Sequence, residues 1–210
     1  MGTGSAGRAI ATRLLQLGHQ VTMGSRSAEG EALTEWVGGA GVGANGATFA
    51  GAAASAELVQ PHLRDRLAGG PGRGRGGELD GKTLVDVANP LDFSRGMPPT
   101  LAVCNDDSLA ERIQAAFPRT RVVKALNTVN CEVMVDPSRV RGDHSIFVCG
   151  DDDAAKAQVS ALLEAIGWPP DSIVDLGDIS AARGTEMYLP LWLRLYGVLG
   201  TPDFNIAIAR

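Results

Sequence analysis

The stretch that decides the fold reads Gly2-Thr3-Gly4-Ser5-Ala6-Gly7 and continues as RAIATRLLQLGHQVTMGSRS over residues 8–27. Its first six residues form the pattern G-x-G-x-x-G. The glycines of this pattern permit a tight turn, the close approach of a pyrophosphate and the packing of a helix on a sheet. An apolar stripe at helical spacing follows, then Gly18 and a strand pattern. This order predicts a dinucleotide site with the pyrophosphate at the helix N-terminus.

The end of the strand predicted over residues 19–24 selects the cofactor. A site for NAD places an aspartate or glutamate there to bind the ribose 2′-hydroxyl, whereas this chain has Gly24-Ser25-Arg26-Ser27. The guanidinium of Arg26 can bind a 2′-phosphate through paired hydrogen bonds, and Ser25 can donate another. We therefore expect NADP rather than NAD. The alternative is that Arg26 is a solvated turn residue.

Strand and helix patterns alternate along the rest of the chain. The predicted strands cover residues 19–24, 47–49, 83–87, 121–126, 145–149 and 172–176, and the predicted helices cover 10–17, 28–37, 109–117, 154–166 and 183–199, with a loop over 38–46 and a break or kink at Pro190. This alternation predicts an α/β fold. We expect a Rossmann-like, doubly wound, mostly parallel sheet with a small C-terminal helical region.

Two features depart from a regular unit of this kind. The fingerprint normally follows a strand, but only Met1 precedes Gly2. We therefore expect the first, central strand to be missing from this chain, with a slot or an intruding segment between the strand at Val21 and the strand that should follow Glu57. Residues 60–77, which include the run GGPGRGRGG, predict an irregular loop that is long for a compact α/β domain. In a GC-rich gene, a locally shifted reading frame gives such a stretch.

The composition excludes several classes of protein. The 210 residues carry a net charge of -5, which provides no electrostatic footprint for nucleic acid. No apolar run is long enough for a membrane span, and the N-terminus is not a signal peptide, so we expect a cytoplasmic protein. The three cysteines are widely spaced and indicate neither a disulfide framework nor a metal site.

Several stretches together resemble the NADP-dependent oxidoreductases that use coenzyme F420, a deazaflavin. They are residues 2–27, LVDVANPLDFSRG at 84–96, VVKALNTVN at 122–130, FVCGDDDAAK at 147–156 and PLWLRLYGVLG at 190–200. The resemblance implies hydride transfer between NADP(H) and the deazaflavin, or a flavin, as co-substrate. A wider relative is the cytoplasmic domain of membrane metalloreductases, which supplies NADPH to a flavin.

The resemblance also implies roles for individual residues and a division of the chain. Thr3, Gly4, Ser5 and Ala6 would surround the pyrophosphate, Ser25 and Arg26 would bind the 2′-phosphate, Ala125, Leu126, Asn127 and Thr128 would line the nicotinamide pocket, and Asn89, Pro90 and Leu91 would form the deazaflavin side. Residues 1–130 would be the NADP-binding Rossmann domain. Residues 131–210 would be a smaller region that closes the cofactor cleft.

Hydride exchange between two cofactors needs alignment and exclusion of water rather than a catalytic acid or base. We accordingly assign no catalytic residue. Asn127 is the candidate for orienting the nicotinamide carboxamide, although such an asparagine can also satisfy its own turn. Lys124 and Glu186 are expected to be an exposed charge and a charge on a helix face.

Two further readings of the sequence stay open. The protein could reduce a small carbonyl or imine directly, which requires a proton donor such as His144 or Tyr188 near the nicotinamide. It could instead be a degenerate dinucleotide-binding protein without activity. We expect His144 to be a loop residue, and Tyr188 and Trp192 to pack in the core or between subunits rather than on a flavin ring. The apolar C-terminal stretch predicts a homo-oligomer.

Overall fold

The computed structural model of the protein describes residues 4–60 and 76–209. Within these ranges the strands are β1 Val21–Ser25, β2 Ala44–Thr48, β3 Leu58–Val59, β4 Thr83–Asp86, β5 Leu91–Asp92, β6 Thr100–Leu101, β7 Arg121–Ala125, β8 Ile146–Cys149 and β9 Ile173–Asp175. The helices are α1 Ser5–Gln16, α2 Glu31–Ala40, α3 Phe49–Ser55, α4 Leu109–Ala116, α5 Cys131–Val135, α6 Asp153–Ile166, α7 Ala182–Met187 and α8 Leu189–Leu199. The alternation of strands and helices confirms the predicted α/β fold.

The first helix forms as its sequence predicts. It begins after Gly4 and buries one face that includes Ile10 and Leu14. It ends where Gly18 adopts a left-handed conformation with φ of 86°, which a residue without a side chain adopts at little cost. The Gly-rich turn therefore opens a helix whose apolar stripe packs on the core.

The main sheet has the order β3-β4-β7-β8-β9, and β1 pairs with β2 in a separate parallel ladder. All neighbours in the main sheet are parallel except β7 and β8. The carboxyl ends of β1, β3, β4 and β7 provide the edge at which open α/β sheets bind their ligands. After β4, the chain forms a short antiparallel pair of strands, β5 with β6.

The expected interruption of the sheet is present among the described residues. No ladder joins β1 to β3, which are the strands at Val21 and after Glu57. One core nevertheless spans both parts, since Val21 and Met23 of β1 belong to the same buried cluster as Val85 and Val123. The order β2-β1 followed by β3-β4-β7 is that of a doubly wound sheet in which no strand of the described residues lies between β1 and β3.

The structure differs from the predicted elements in three places. Helix α2 runs into the predicted loop over 38–46, and β2 begins earlier than residue 47. Helix α3 was not predicted; the hydroxyl of Thr48 accepts a hydrogen bond from the Gly51 amide and caps it. The predicted helix over 183–199 is two helices, because Pro190 lies in the first turn of α8 and suits a helix start. Of the predicted irregular loop, residues 61–75 lie outside the described residues.

Candidate cofactor site

The N-terminus of α1 has the features of helix ends that bind anions. Gly4 is the extended residue that precedes the helix, no side chain caps this end, and the first turn contains no acidic residue. The first amides of a helix have no partner within it, and they lie at the positive end of the helix dipole. Ser5 and Ala6 lie in this first turn, where the sequence predicts the pyrophosphate, and Gly7 is buried in the helix. Gly2 and Thr3 lie outside the described residues.

The loop after β7 has an unusual backbone. Leu126 is buried and adopts a left-handed conformation with φ of 64°, which costs a residue with a side chain about 1–2 kcal/mol. Strain of this kind is found where a site requires a fixed geometry. The next residues, Asn127 and Thr128, are 5% and 3% exposed. The loop is therefore a tightly held turn rather than a mobile connection.

Two asparagines join this loop to the loop after β4. The Asn89 side chain donates to the backbone carbonyl of Asn127 at 2.8 Å, and the Asn127 side chain donates to Asn89 Oδ1 at 3.0 Å. The side chain of Asn127 thus contacts a second loop rather than only its own turn. Pro90 follows and is buried. The residues predicted for the nicotinamide side and the deazaflavin side are therefore directly bonded to each other.

The same loop also meets the glycine turn. Helix α5 begins at Cys131, directly after the loop, and packs against α1. Burial raises the pKa of the Cys131 thiol, and a hydrogen bond with Ser5 partly opposes that rise. The predicted pyrophosphate and nicotinamide residues consequently lie beside one another.

Ser25 and Arg26 occupy the carboxyl end of β1 and the turn after it. Ser25 is half-buried, and Arg26 is exposed. Their position on the ligand-binding edge is the one that the sequence predicts for residues that bind the 2′-phosphate. Their role in binding stays a prediction.

A buried charge network lies beneath the two loops. The ammonium of Lys124 contacts Asp86 Oδ2 at 2.8 Å and Glu186 Oε1 at 2.7 Å, and all three side chains are at most 2% exposed. The expectation that Lys124 is an exposed charge is wrong, and Glu186, expected as a charge on a helix face, lies on helix α7 but is buried. The strand register places Lys124 directly beside Asp86. Glu186, on α7, contacts the same ammonium.

Ion pairs and hydrogen bonds oppose the desolvation of this network. Burial alone would lower the pKa of Lys124, but the two carboxylates together raise it. Burial raises the pKa of Glu186, against the opposing effect of Lys124 and of the Leu109 amide. Glu186 accepts hydrogen bonds from the amides of Leu109 and Ala110 at 2.8 and 3.2 Å and so caps α4. Burial also raises the pKa of Cys149, on the neighbouring strand, to about 12.

Comparison with known proteins assigns the family. A family model described as NADP oxidoreductase coenzyme F420-dependent matches residues 1–90. The crystal structure of a proposed F420-dependent NADP reductase from Arthrobacter sp. FB24 is 48% identical, with a TM-score of 0.88, over 100% of this chain and 97% of that one. The chain belongs to the coenzyme F420-dependent NADP oxidoreductase family. The family is one of NADP-linked oxidoreductases.

Two curated relatives extend the comparison. The F420-dependent NADP reductase of Methanothermobacter marburgensis is 29% identical over 92% of this chain and 89% of its own length. Metalloreductase STEAP3 of Rattus norvegicus is 31% identical over 91% of this chain but only 37% of its own length. The chain therefore spans about a third of that metalloreductase. Within the described residues, no helix is long and apolar enough to cross a bilayer.

The residues present suit the NADP of this family. Besides the open amides of α1, two buried polar side chains at the carboxyl ends of strands have no hydrogen-bond partner among the described residues: the hydroxyl of Thr128 and the amide of Gln60. A buried polar group without a partner costs about 1–3 kcal/mol, so a ligand that bonds to these two groups would offset that cost. Gln60 was missed because it opens the irregular segment and follows a strand of only two residues.

The predicted proton donors have different surroundings. Nε2 of His144 lies 3.1 Å from the carbonyl of Pro137, and Nδ1 lies 3.0 Å from the Asn205 side chain. His144 is therefore a loop residue whose two nitrogens are both engaged, as expected. The hydroxyl of Tyr188 is buried and has no partner among the described residues. Trp192 stacks on Tyr196 and on Phe204 at centroid distances of 5.5 and 5.2 Å.

Proposed function

We propose that the protein transfers a hydride between NADP(H) and coenzyme F420. The observation that carries this proposal is the reciprocal pair Asn89–Asn127, which joins the two predicted cofactor loops beside the N-terminus of α1. A hydride moves only between carbons held in contact, so a site for two cofactors must fix them against each other. A bonded pair of loops at the edge of the sheet supplies such a frame.

Each part of the chain has a defined task in this proposal. The amides of Ser5, Ala6 and Gly7 bind the pyrophosphate, and Arg26 with Ser25 binds the 2′-phosphate. Asn127, held by Asn89, orients the nicotinamide carboxamide. NADPH supplies the hydride when bound. No described side chain needs to take up or release a proton, because alignment and the exclusion of water are the protein's contribution.

Residues 131–210 complete the cleft in this account. They supply β8 and β9 to the main sheet and include α7 and α8. We propose that the C-terminal helices close over the deazaflavin side. We also propose a cytoplasmic location.

The direct test mixes purified protein with NADPH and oxidised coenzyme F420 and follows the loss of the deazaflavin absorbance. A parallel assay replaces F420 with FMN. Loss of absorbance with F420 and little change with FMN supports the proposal. Reduction of FMN alone shows a flavin reductase instead, and no reaction with either acceptor supports the degenerate dinucleotide-binding alternative.

Arg26→Ala should remove most of the preference for NADPH over NADH. The reason is the loss of a charge-assisted contact with the 2′-phosphate, which is equivalent to about 1.5–3 kcal/mol or roughly a ten- to hundredfold loss of affinity. Binding of NADH should remain nearly unchanged, as measured by titration of nucleotide fluorescence. Equal losses for both nucleotides would show that Arg26 does not contact the 2′-phosphate.

A second candidate function is the direct reduction of a small carbonyl or imine by NADPH. The buried, unpartnered hydroxyl of Tyr188 favours it, because this reaction needs a proton donor within hydrogen-bond reach. The candidates separate on Tyr188→Phe. That change should abolish the reduction of a carbonyl or imine but leave hydride transfer to F420 within about twofold, since the latter needs no protein donor.

We expect the protein to form a homo-oligomer through α8. Eight of its eleven residues, LPLWLRLYGVL, are apolar or aromatic, yet none is fully buried; Leu191, Val198 and Leu199 are 55%, 84% and 53% exposed. Contiguous apolar surface of this kind is usually covered by a partner. Sedimentation at micromolar concentration should show a dimer or larger species, and Val198→Glu should shift it to monomer. A wild-type monomer would contradict the prediction.

A further inference from the structure

We propose that Lys124 is a positioning residue, which fixes the nicotinamide end of the NADP site through the backbone of Ala88 and thereby ties that end to helix α7. The inference rests on the proposed function for the placement of the nicotinamide. It goes further by assigning a role to a buried charge network that no contact with a cofactor explains.

The contacts of Lys124 leave its ammonium one geometry. An ammonium has three N–H donors, and each has an acceptor here: Asp86 Oδ2, Glu186 Oε1 and the carbonyl of Ala88. The side chain is fully enclosed, with 1% exposure. A group that is saturated and enclosed in this way holds its acceptors in place.

The network fixes both backbone groups of Ala88. Lys124 donates to the Ala88 carbonyl, and the Ala88 amide donates to Asp86 Oδ1 at 3.0 Å. Ala88 directly precedes Asn89, whose side chain is bonded to Asn127. Lys124 is the penultimate residue of β7 and lies two residues before the left-handed Leu126. One ammonium thus holds the loop after β4 and lies at the base of the loop after β7.

Glu186 extends the linkage to the C-terminal region. One carboxylate binds Lys124 and also the first two amides of α4. Buried ion pairs contribute little to stability compared with apolar residues of similar volume. A network with two carboxylates and one ammonium at the edge of a cofactor site is therefore better explained by the geometry that it imposes than by stability.

The chain offers a matched control at Lys156. This lysine is 7% exposed and pairs with Asp153 and Asp175 at 3.1 and 2.9 Å. It also contacts a backbone carbonyl, that of Gly177. It lies on α6 beside the far edge strand β9, away from the two cofactor loops. Lys156→Met therefore removes a paired lysine without touching the proposed frame.

The experiment compares two ligands for each protein. NADP⁺ engages the whole site, whereas 2′,5′-ADP carries only the adenosine and 2′-phosphate end, so the ratio of their affinities reports the nicotinamide end. Calorimetric titration of the wild type, Lys124→Met, Glu186→Gln and Lys156→Met gives the four ratios. We expect Lys124→Met to weaken NADP⁺ about tenfold, as the loss of oriented hydrogen bonds implies. Binding of 2′,5′-ADP should change by less than about twofold, and Lys156→Met should leave the ratio unchanged.

Glu186→Gln keeps the size of the side chain and is the alternative variant if Lys124→Met does not fold. It should likewise lower the affinity for NADP⁺ relative to the affinity for 2′,5′-ADP. An unchanged ratio in the folded variants, with only a lower melting temperature, overturns the proposal, since that is the behaviour of a purely structural network. Equal loss of both ligands also overturns it. The measurement needs no F420. If the wild type fails to reduce F420 but the affinity ratio still falls in the variants, the proposed function is wrong and the positioning role of Lys124 is retained.

Discussion

Replacing Lys124 with methionine should lower the free energy of unfolding by about 3–5 kcal/mol, because it leaves Asp86 and Glu186 buried without their cation. Urea unfolding at pH 7 measures this change. Lys156→Met provides the comparison: its partner carboxylates on Asp153 and Asp175 are 98% and 52% exposed. Water can solvate them after the change, so we expect a loss below about 1 kcal/mol.

The stability of Lys124→Met should depend on pH in a defined direction. Burial already raises the pKa of Glu186 above its ordinary value, and removal of Lys124 takes away the charge that opposes the rise. A carboxyl whose pKa is higher in the folded state binds a proton on folding, so the free energy of unfolding falls as pH rises through that range. Lys124→Met should therefore regain part of its stability between pH 8 and pH 5. A loss below about 1 kcal/mol, independent of pH, would mean that the network is not buried as described.

A strand added ahead of the glycine turn should stabilise the protein and tighten NADPH binding. The edges of β1 and β3 that face each other carry no ladder among the described residues. Each buried backbone group without a partner costs about 1–3 kcal/mol. Six apolar residues with strand propensity, placed upstream of Gly2, are long enough to pair with both edges. A net gain of about 2–3 kcal/mol would raise the melting temperature by roughly 4–12 °C.

The control for this experiment is an extension of six glycine and serine residues, which adds the same length without a preference for strand. The account predicts a rise in melting temperature and in NADPH affinity for the apolar extension only. The expectation that the fold lacks its first, central strand is wrong if the 210-residue chain already binds NADPH at micromolar strength and neither extension changes its stability.

The parts of the fold that the sequence predicts are those with local signals. The glycine turn, the apolar stripe that ends at Gly18 and the buried strand around Val85 each carry their periodicity within a few residues. The sequence does not predict helix α3, because its run of glycine and alanine shows no contrast between apolar and polar faces. Its one sequence signal is Thr48, a residue type that caps helix N-termini. The break predicted at Pro190 in the last helical region is present, but it falls just before the proline, because a proline can start a helix as well as kink it.

The candidate site was predictable only in part, for a physical reason. Asn89 and Asn127 each follow a predicted strand, and parallel strands bring such ends to one edge. The roles of Lys124 and Glu186 depend instead on contacts between residues far apart in the chain. A signal was nevertheless available: Asp86 lies between Val85 and Val87, and Lys124 follows Val122 and Val123. Opposite charges on buried strands must pair.

The most direct test of the account is the fate of the hydrogen at C4 of the nicotinamide. The protein is mixed with NADPH deuterated at both C4 positions and with oxidised coenzyme F420 in ordinary water, and the reduced deazaflavin is examined by mass spectrometry. The account predicts one deuterium on the deazaflavin carbon that accepts the hydride, and a primary isotope effect under single-turnover conditions if transfer limits the rate. Failure to reduce F420, or reduced F420 whose new carbon-bound hydrogen comes from water, would contradict direct transfer between the two cofactors.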